Sequence, residues 1–504
     1  MMRAIAAVLV LSVVLPLAAA AAGEGTPDPR PAALTSADVP TWLVGDSWRF
    51  FTHVATRDGA NWTDTRTNLT VTVAARIQAL QDGAWLYLYN ATTAGDLQGQ
   101  GNMTDPNSGS TVHFTIASAT VQGYLWAERG DLATARTNQT LSGTGTATVP
   151  LFGPRPMTMN GSLTEISRPP EEDFDFPIEV QDNWHVGTVL NATGSVRVVV
   201  DLPAPIPDVV ITQPLAGDTP IDARSWANGT EVVSVPAGTF ETLRIHSLDV
   251  SGAATDRWYG PNASNYVRLE THDVAGPTQY THTWTNLTSY TPTAPAVAVA
   301  VSLVPQKVGP GGPVEVVGTT SAAGRSATVR IPFLNSTAIA VTNASGGFRL
   351  AMTAPADDDR TPANTDTGSH GVLVEVDSGG SPGFGAATVV LLKPDLTLQD
   401  LSITPLPVGD GLPTTLDTTV SVATTVPVYA PVNVTFVSED VDTDADGVMD
   451  SPIDAYCGRG SCIGTATVGP VLPGSPVVAG VSWTPGPPAI PATATRRRTR
   501  RTTS

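Results

Sequence analysis

Apolar and polar residues alternate along most of this chain. "NLTVTVAARIQAL" from Asn68, "AWLYLYNAT" from Ala84 and "TVHFTIASATVQGYLW" from Thr111 each repeat with a period of two, the spacing of a strand with one buried face. Hairpins are legible further on. "EVVSV" enters a turn at Pro236–Gly238 and leaves as "FETLRIHSLDV"; "TDRWY" enters a turn at Gly260–Asn262 and leaves as "SNYVRLETHDV". No window sustains a 3.6-residue period, so helices are expected to be few. A chain of 504 residues exceeds the ~250–300 residues of a single core. The expectation is an all-β protein of several domains: a large antiparallel β domain over 37–292, then two tandem Ig-like sandwiches at about 295–392 and 393–485.

Two internal repeats carry that division. "PTWLVGDSWRFFTH" recurs in outline as "PIEVQDNWHVGTVL", pairing Val44, Asp46 and Trp48 with Val180, Asp182 and Trp184. An Asp in a tight turn with a Trp two residues on suits a strand that begins at the turn and buries its aromatic. This recurrence predicts two half-barrel-like lobes, about 40–168 and 177–290, joined by the acidic run "PPEEDFDFP", read as a solvated connection. The second repeat aligns 301–319 with 401–419 without gaps and with seven identities, Ser302/Ser402 and Pro313/Pro413 among them. Its 100-residue offset is the size of one Ig-like sandwich.

Residues 394–485 open "PDLTLQDLSITPLPVGDGLPTTLDTTV" and close "CIGTATVGPVLPGSPVVAGVSWTP". The stretch resembles the CARDB family, cell-adhesion-related modules of microbial surface proteins. The resemblance implies an extracellular β-sandwich with adhesive or spacer duty, and the chain departs from it by an acidic insert at 438–462. Val235–Phe240, Trp258–Pro261 and Asn265–Glu270 match a V-P-A-G-x-F, W-Y-x-P, N-x-V-R-x-E pattern of secreted β proteins. That region resembles lipoprotein-carrier-like half-barrels, which implies a concave apolar face. Nine of the ten Trp lie between Trp42 and Trp284. They fill a large core or cradle a hydrophobic ligand.

Compartment is read from the N-terminus and the asparagines. Residues 1–22 have a basic start at Arg3, an apolar run and a small-residue site near Ala22, the form of a secretory signal peptide, cleaved or retained as an anchor. Residues 23–36 are a Pro/Gly-rich linker. No second stretch is long and apolar enough to cross a bilayer. Thirteen of 17 Asn stand in N-x-[ST]: Asn61, Asn68, Asn90, Asn102, Asn138, Asn160, Asn191, Asn228, Asn262, Asn286, Asn335, Asn343 and Asn433. With Ser and Thr at about a fifth of the chain, chance supplies about three or four such sites, so glycosylation of a secreted protein is expected. Net charge is −19, which disfavours nucleic acid and anionic membrane. The disordered tail 486–504 holds five Arg, the mark of a polyanion-binding end or of an altered reading frame.

Candidate chemistry is sparse. Asp442, Asp444, Asp446 and Asp450 alternate along one loop, and the carbonyl of Val448 completes an oxygen set suited to Ca²⁺. The bland reading is an acidic hairpin tip in water. Cys457 and Cys462 close a short disulfide clip or remain free thiols. Ser381 in "GGSPG" is followed by Pro382, which lacks the N–H an oxyanion hole requires. The seven His show no metalloenzyme spacing, although His272 and His282 are placed to meet across a hairpin. No catalytic residue is assigned. The expected function is that of a secreted, glycosylated cell-surface protein binding other surface proteins or glycans without catalysis. The alternative is an extracellular carrier holding a lipid or other hydrophobic ligand in the N-terminal domain.

Overall fold

The computed structural model describes residues 34–104, 111–149, 151–276, 279–332, 336–354, 368–392, 396–404, 412–423, 426–438 and 462–484. Among them no α-helix occurs. The chain is all-β: a large antiparallel N-terminal domain followed by two Ig-like sandwiches.

The N-terminal strands are β1 (Ser36–Ala37), β2 (Ser47–Asp58), β3 (Asn61–Gln81), β4 (Ala84–Thr104), β5 (Thr111–Glu128), β6 (Thr134–Val149), β7 (Gly153–Glu171), β8 (Ile178–Glu179), β9 (Asn183–Val200), β10 (Val209–Val235), β11 (Gly238–Asp249), β12 (Ala254–Gly260), β13 (Asn265–Gly276) and β14 (Gln279–Thr291). Leaving aside β1 and β8, each of the twelve remaining strands pairs antiparallel with its sequence neighbour, and β14 pairs back onto β2. The result is a closed up-and-down barrel. The two expected half-barrel-like lobes are the two halves of this one barrel. β7 pairs with β9, and β14 with β2. Two six-stranded sheets left apart would each expose two unpaired edges, and closure removes all four.

Alternation fixes which side chains enter. Along β2, Trp48, Phe50, Thr52 and Val54 are buried; along β3, Leu69, Val71 and Val73 are. Trp48, Phe50, Leu69, Val71 and Val73 form one core with Tyr89, Leu97, Ile116, Met159, Leu243 and Leu287, each large side chain contributing about 1.5–3 kcal/mol.

The first sequence repeat is a repeat of backbone geometry. The N–H of Gly45 donates to the Val73 carbonyl (2.8 Å), the N–H of Val73 to the Asp46 carbonyl (2.9 Å), and the N–H of Asp46 to the Leu43 carbonyl (2.9 Å). In the second half Gln181, Ala227, Asp182 and Glu179 make the same three bonds at 2.8, 2.9 and 3.1 Å. The turn residue before each Asp has positive φ, +102° at Gly45 and +74° at Gln181. A register shift follows the partner residue on β3 after Val73 and on β10 after Ala227. The segments leading into the two halves also pair with each other: Ser36 lies opposite Glu179 and Ala37 opposite Ile178.

The first sandwich contains β15 (Val299–Val304), β16 (Lys307–Val308), β17 (Pro313–Thr320), β18 (Ser326–Ile331), β19 (Ser336–Val341), β20 (Gly347–Thr353), β21 (Gly368–Val376) and β22 (Gly383–Leu391). Its sheets run β15-β17-β20 and β16-β22-β21-β18-β19. Gly318 in β17 faces the Phe348 ring so closely that a Cβ would lie 2.1 Å from it. Barrel and first sandwich belong to one compact unit. There a Cβ on Gly371 would stand 2.2 Å from the Cα of Gly130. The Arg76 guanidinium lies 3.7 Å from the Phe384 ring centroid, and Lys307 pairs with Glu179 at 2.8 Å.

A second unit holds the other sandwich, with β23 (Leu396–Thr404), β24 (Thr414–Val422), β25 (Val432–Val437), β26 (Cys462–Val468) and β27 (Val477–Trp483) in sheets β23-β24-β27 and β25-β26. Leu416, Val420, Val434, Phe436 and Ala479 form its core. The 100-residue repeat holds in register: Ser302 faces Val317 on β15/β17, and Ser402 faces Asp417 on β23/β24.

Candidate functional site

Among the described residues, a cavity of about 130 Å³ lies within the barrel. Trp42, Phe50, Phe174 and Tyr266 supply apolar walls; Thr137, Glu165, Glu171, Asp173 and Arg257 supply the polar ones. The acidic run expected in solvent is thus corrected: Phe174, Asp175, Phe176 and Ile178 are buried, and Glu171 and Asp173 line the cavity. The reason is the alternation of Phe with Asp. The two rings pack against Tyr259 at 5.2 and 5.3 Å between centroids and draw the neighbouring carboxylates inward.

Arg257 is 4% exposed. Its Nη2 donates to Asp173 Oδ1 (2.5 Å) and its Nη1 to Ser247 Oγ (2.8 Å); Nε has no protein partner. Glu165 accepts from Thr137 Oγ1 at 2.9 Å, and burial raises its pKa. Burial, then the Asp173 charge, pushes Glu171 from 4.5 up to about 8, with Arg257 opposing. Three carboxyls against one guanidinium are accommodated by keeping protons on some of them. The space matches that of a small aromatic ring and falls well short of the ~300–1,000 Å³ of common ligand pockets.

The outer face of the barrel carries a second constellation. Trp226, His246, Asp256, Glu270, Trp284, His53 and Arg66 are successive cross-strand partners from β10 through β14 and β2 to β3. His53 Nε2 lies 3.0 Å from Asp64, His246 Nδ1 3.2 Å from Asp256, and His185 Nε2 2.7 Å from Asp222. Trp258 lies between Arg244 and Arg268, whose guanidinium carbons are 5.3 and 4.8 Å from its ring centroid. One row along, His272 and His282 do meet across the β13/β14 hairpin, Nδ1 to Nε2 at 3.2 Å. Burial, then the charge of His272, lowers the pKa of His282.

The residues expected to ligate calcium, Asp442, Asp444, Asp446, Val448 and Asp450, lie outside the described residues, as do Asn335, Cys457, the leader 1–22 and the Arg-rich tail. Cys462 is disulfide-bonded, and the chain contains one other cysteine, Cys457. Ser381 is exposed in the loop before β22. Of the sequon asparagines, Asn68, Asn160, Asn228, Asn262, Asn343 and Asn433 are exposed and Asn90, Asn102, Asn138, Asn191 and Asn286 half-buried; Asn61 is buried. Ten of these Asn lie in strands. Asn and Thr two residues apart on a strand share a face, so a Thr-rich outer face contributes to the N-x-T spacing.

No family model and no curated protein matches this chain. Among solved structures it aligns with the native conformation of the alpha-2-macroglobulin of E. coli at 8% identity and a TM-score of 0.17, over 88% of this chain and 42% of that one. The chain thus spans less than half the length of that protein, and so slight a likeness carries no functional argument.

Proposed function

We propose that this is a secreted, glycosylated cell-surface protein that acts by non-catalytic binding, its barrel supported by Ig-like modules that serve as spacer or adhesive arm. The observation that supports this reading over a carrier is the interior: among the described residues, Trp48, Phe50, Tyr89 and Tyr259 are buried in one core and the cavity beside them holds about 130 Å³. An acyl chain needs several times that volume. Contact is then made at the outer face and the loops, with glycans or surface proteins as partners. The exposed sequon asparagines support a glycosylated exterior. Calcium at Asp442–Asp450 would stiffen the insert of the last module.

Native mass spectrometry of the full chain secreted by its own host tests both readings. The expected spectrum shows added hexose-type mass and no bound apolar ligand. A stoichiometric lipid retained after delipidating chromatography would refute the proposal in favour of a carrier. A mass equal to the bare chain would end the glycoprotein part.

A further inference from the structure

We propose that His272 and His282 form a two-imidazole binding site for a divalent d-block cation, Cu²⁺ or Zn²⁺, on the outer face of the barrel. The two are direct cross-strand partners on β13 and β14. Their facing nitrogens are 3.2 Å apart, with the rings perpendicular at 89°. Two nitrogens at the usual metal–imidazole length of about 2.0–2.1 Å stand about 3.3 Å apart at a tetrahedral angle and about 2.9 Å apart at a right angle. The observed spacing falls between those limits.

His53, His185 and His246 each face an aspartate, and His113 faces the side-chain carbonyl of Asn102 at 2.9 Å. The partners of His185, His246 and His113 hydrogen-bond a ring nitrogen, whereas His53 Nε2 makes only the charge contact to Asp64. His272 and His282 instead point nitrogen at nitrogen. The remaining nitrogen of His272, Nε2, lies 3.9 Å from Glu270 Oε2. Glu270 is itself anchored by Arg268, with Nε at 3.0 Å. The 3.9 Å between His272 Nε2 and Glu270 is beyond direct hydrogen-bond reach; the carboxylate charge still favours a proton on the Nε2 side, leaving Nδ1 to face His282.

Access is open. His272 is 42% exposed at its side chain, and the flanking positions in the same row are Ala254 and Ala55. Among the described residues no group of three or more His, Cys, Asp or Glu side chains is placed to hold a metal. The protein therefore supplies two ligands, and water or a small external donor supplies the rest. Imidazole selects copper and zinc over calcium and magnesium, so this site is chemically separate from the acidic loop at Asp442–Asp450.

The test uses the untagged full chain. Cu²⁺ is titrated with the visible ligand-field band as readout, Zn²⁺ by calorimetry, and the Cu²⁺ complex is examined by electron paramagnetic resonance. One saturable site with two equatorial nitrogen couplings is expected. His272→Gln and His282→Gln should each weaken it at least about tenfold, and His113→Gln should leave it unchanged. Absence of saturable binding to the wild-type chain would reduce the pair to a hydrogen bond and overturn the proposal. So would variants that bind as tightly as wild type. A wild-type spectrum with fewer than two nitrogens overturns it whether or not the variants fold.

Discussion

Glu171 offers the sharpest test of the barrel interior. The perturbation is Glu171→Gln, which keeps the shape and removes the titration. In the folded chain the carboxyl ionises near 8, against an ordinary 4.5. Between those values the unfolded chain has lost the proton and the folded chain keeps it. Folding then takes up a proton, so stability falls as pH rises through this window, and the loss is complete above about pH 8. The rise from 4.5 to about 8 corresponds to about 5 kcal/mol. The Glu171 side chain lines the cavity but keeps some surface exposure, and water screens part of that penalty, so about 2 kcal/mol is expected in practice.

The assay is urea unfolding followed by tryptophan fluorescence at pH 5, 7 and 9, nine of the ten Trp reporting from the N-terminal domain. Glu171→Gln should match wild type at pH 5 and exceed it by about 2 kcal/mol at pH 9. Asp96→Asn, an exposed outer-face carboxylate, is the control. A difference between Glu171→Gln and wild type that stays flat with pH, or a variant less stable than wild type at pH 9, refutes the placement of this carboxyl against Asp173 in a desolvated interior.

Asp46 is 4% exposed and accepts from the N–H of Leu43 (2.7 Å) and of Thr293 (2.6 Å), so Asp46→Ala should cost about 3–5 kcal/mol by chemical denaturation. Its counterpart Asp182 accepts from Glu179 at 3.4 Å, and Asp182→Ala should cost about 1 kcal/mol or less; equal costs would contradict the geometry. Gly371→Ala sets a Cβ against the Gly130 backbone and should lower stability by about 1–3 kcal/mol, with faster proteolysis where barrel and first sandwich meet. Glycopeptide mapping should find Asn68, Asn160, Asn228 and Asn262 occupied and Asn61, 8% exposed, bare. Calorimetric titration with millimolar Ca²⁺ should give heat that Asp444→Asn with Asp446→Asn removes; no heat from the wild-type chain ends the calcium assignment.

Strands were legible because their signal is local. Leu69, Val71 and Val73 alternate with Thr70 and Thr72, and a buried face needs little else. The repeats were legible because Asp46/Trp48 and Asp182/Trp184 hold the same offsets, and a turn needs specific residues. Closure was not. The pairing of β14 with β2 joins residues more than 200 positions apart, and no residue type marks it. The cavity carboxylates were missed for a different reason. Charge composition alone places "PPEEDFDFP" in water, whereas its two phenylalanines, spaced by one residue, mark an inward face. His272 and His282 were legible as a pair because they belong to one hairpin. The row from Trp226 to Arg66 spans strands far apart in sequence and becomes visible only once register is known.

The paired lead-in segments connect fold to function. Each half of the barrel is preceded by a short strand, β1 or β8, and those two strands pair with each other. Ala37, Val39 and Trp42 from one lead-in and Phe174, Phe176 and Ile178 from the other enter the same core as Trp48 and Tyr259. Closing a sheet of twelve strands creates a lumen wider than its own side chains fill, as larger barrels that enclose ligands illustrate. Here part of the lumen is occupied by the two lead-in segments, one aromatic segment per half. Deleting residues 34–42 would remove one plug and leave the strands of the barrel intact. Such a variant should lose stability and gain binding of an apolar dye such as ANS. A truncated barrel that stays as stable as the parent and takes up no dye would show that the lead-in does not fill the lumen.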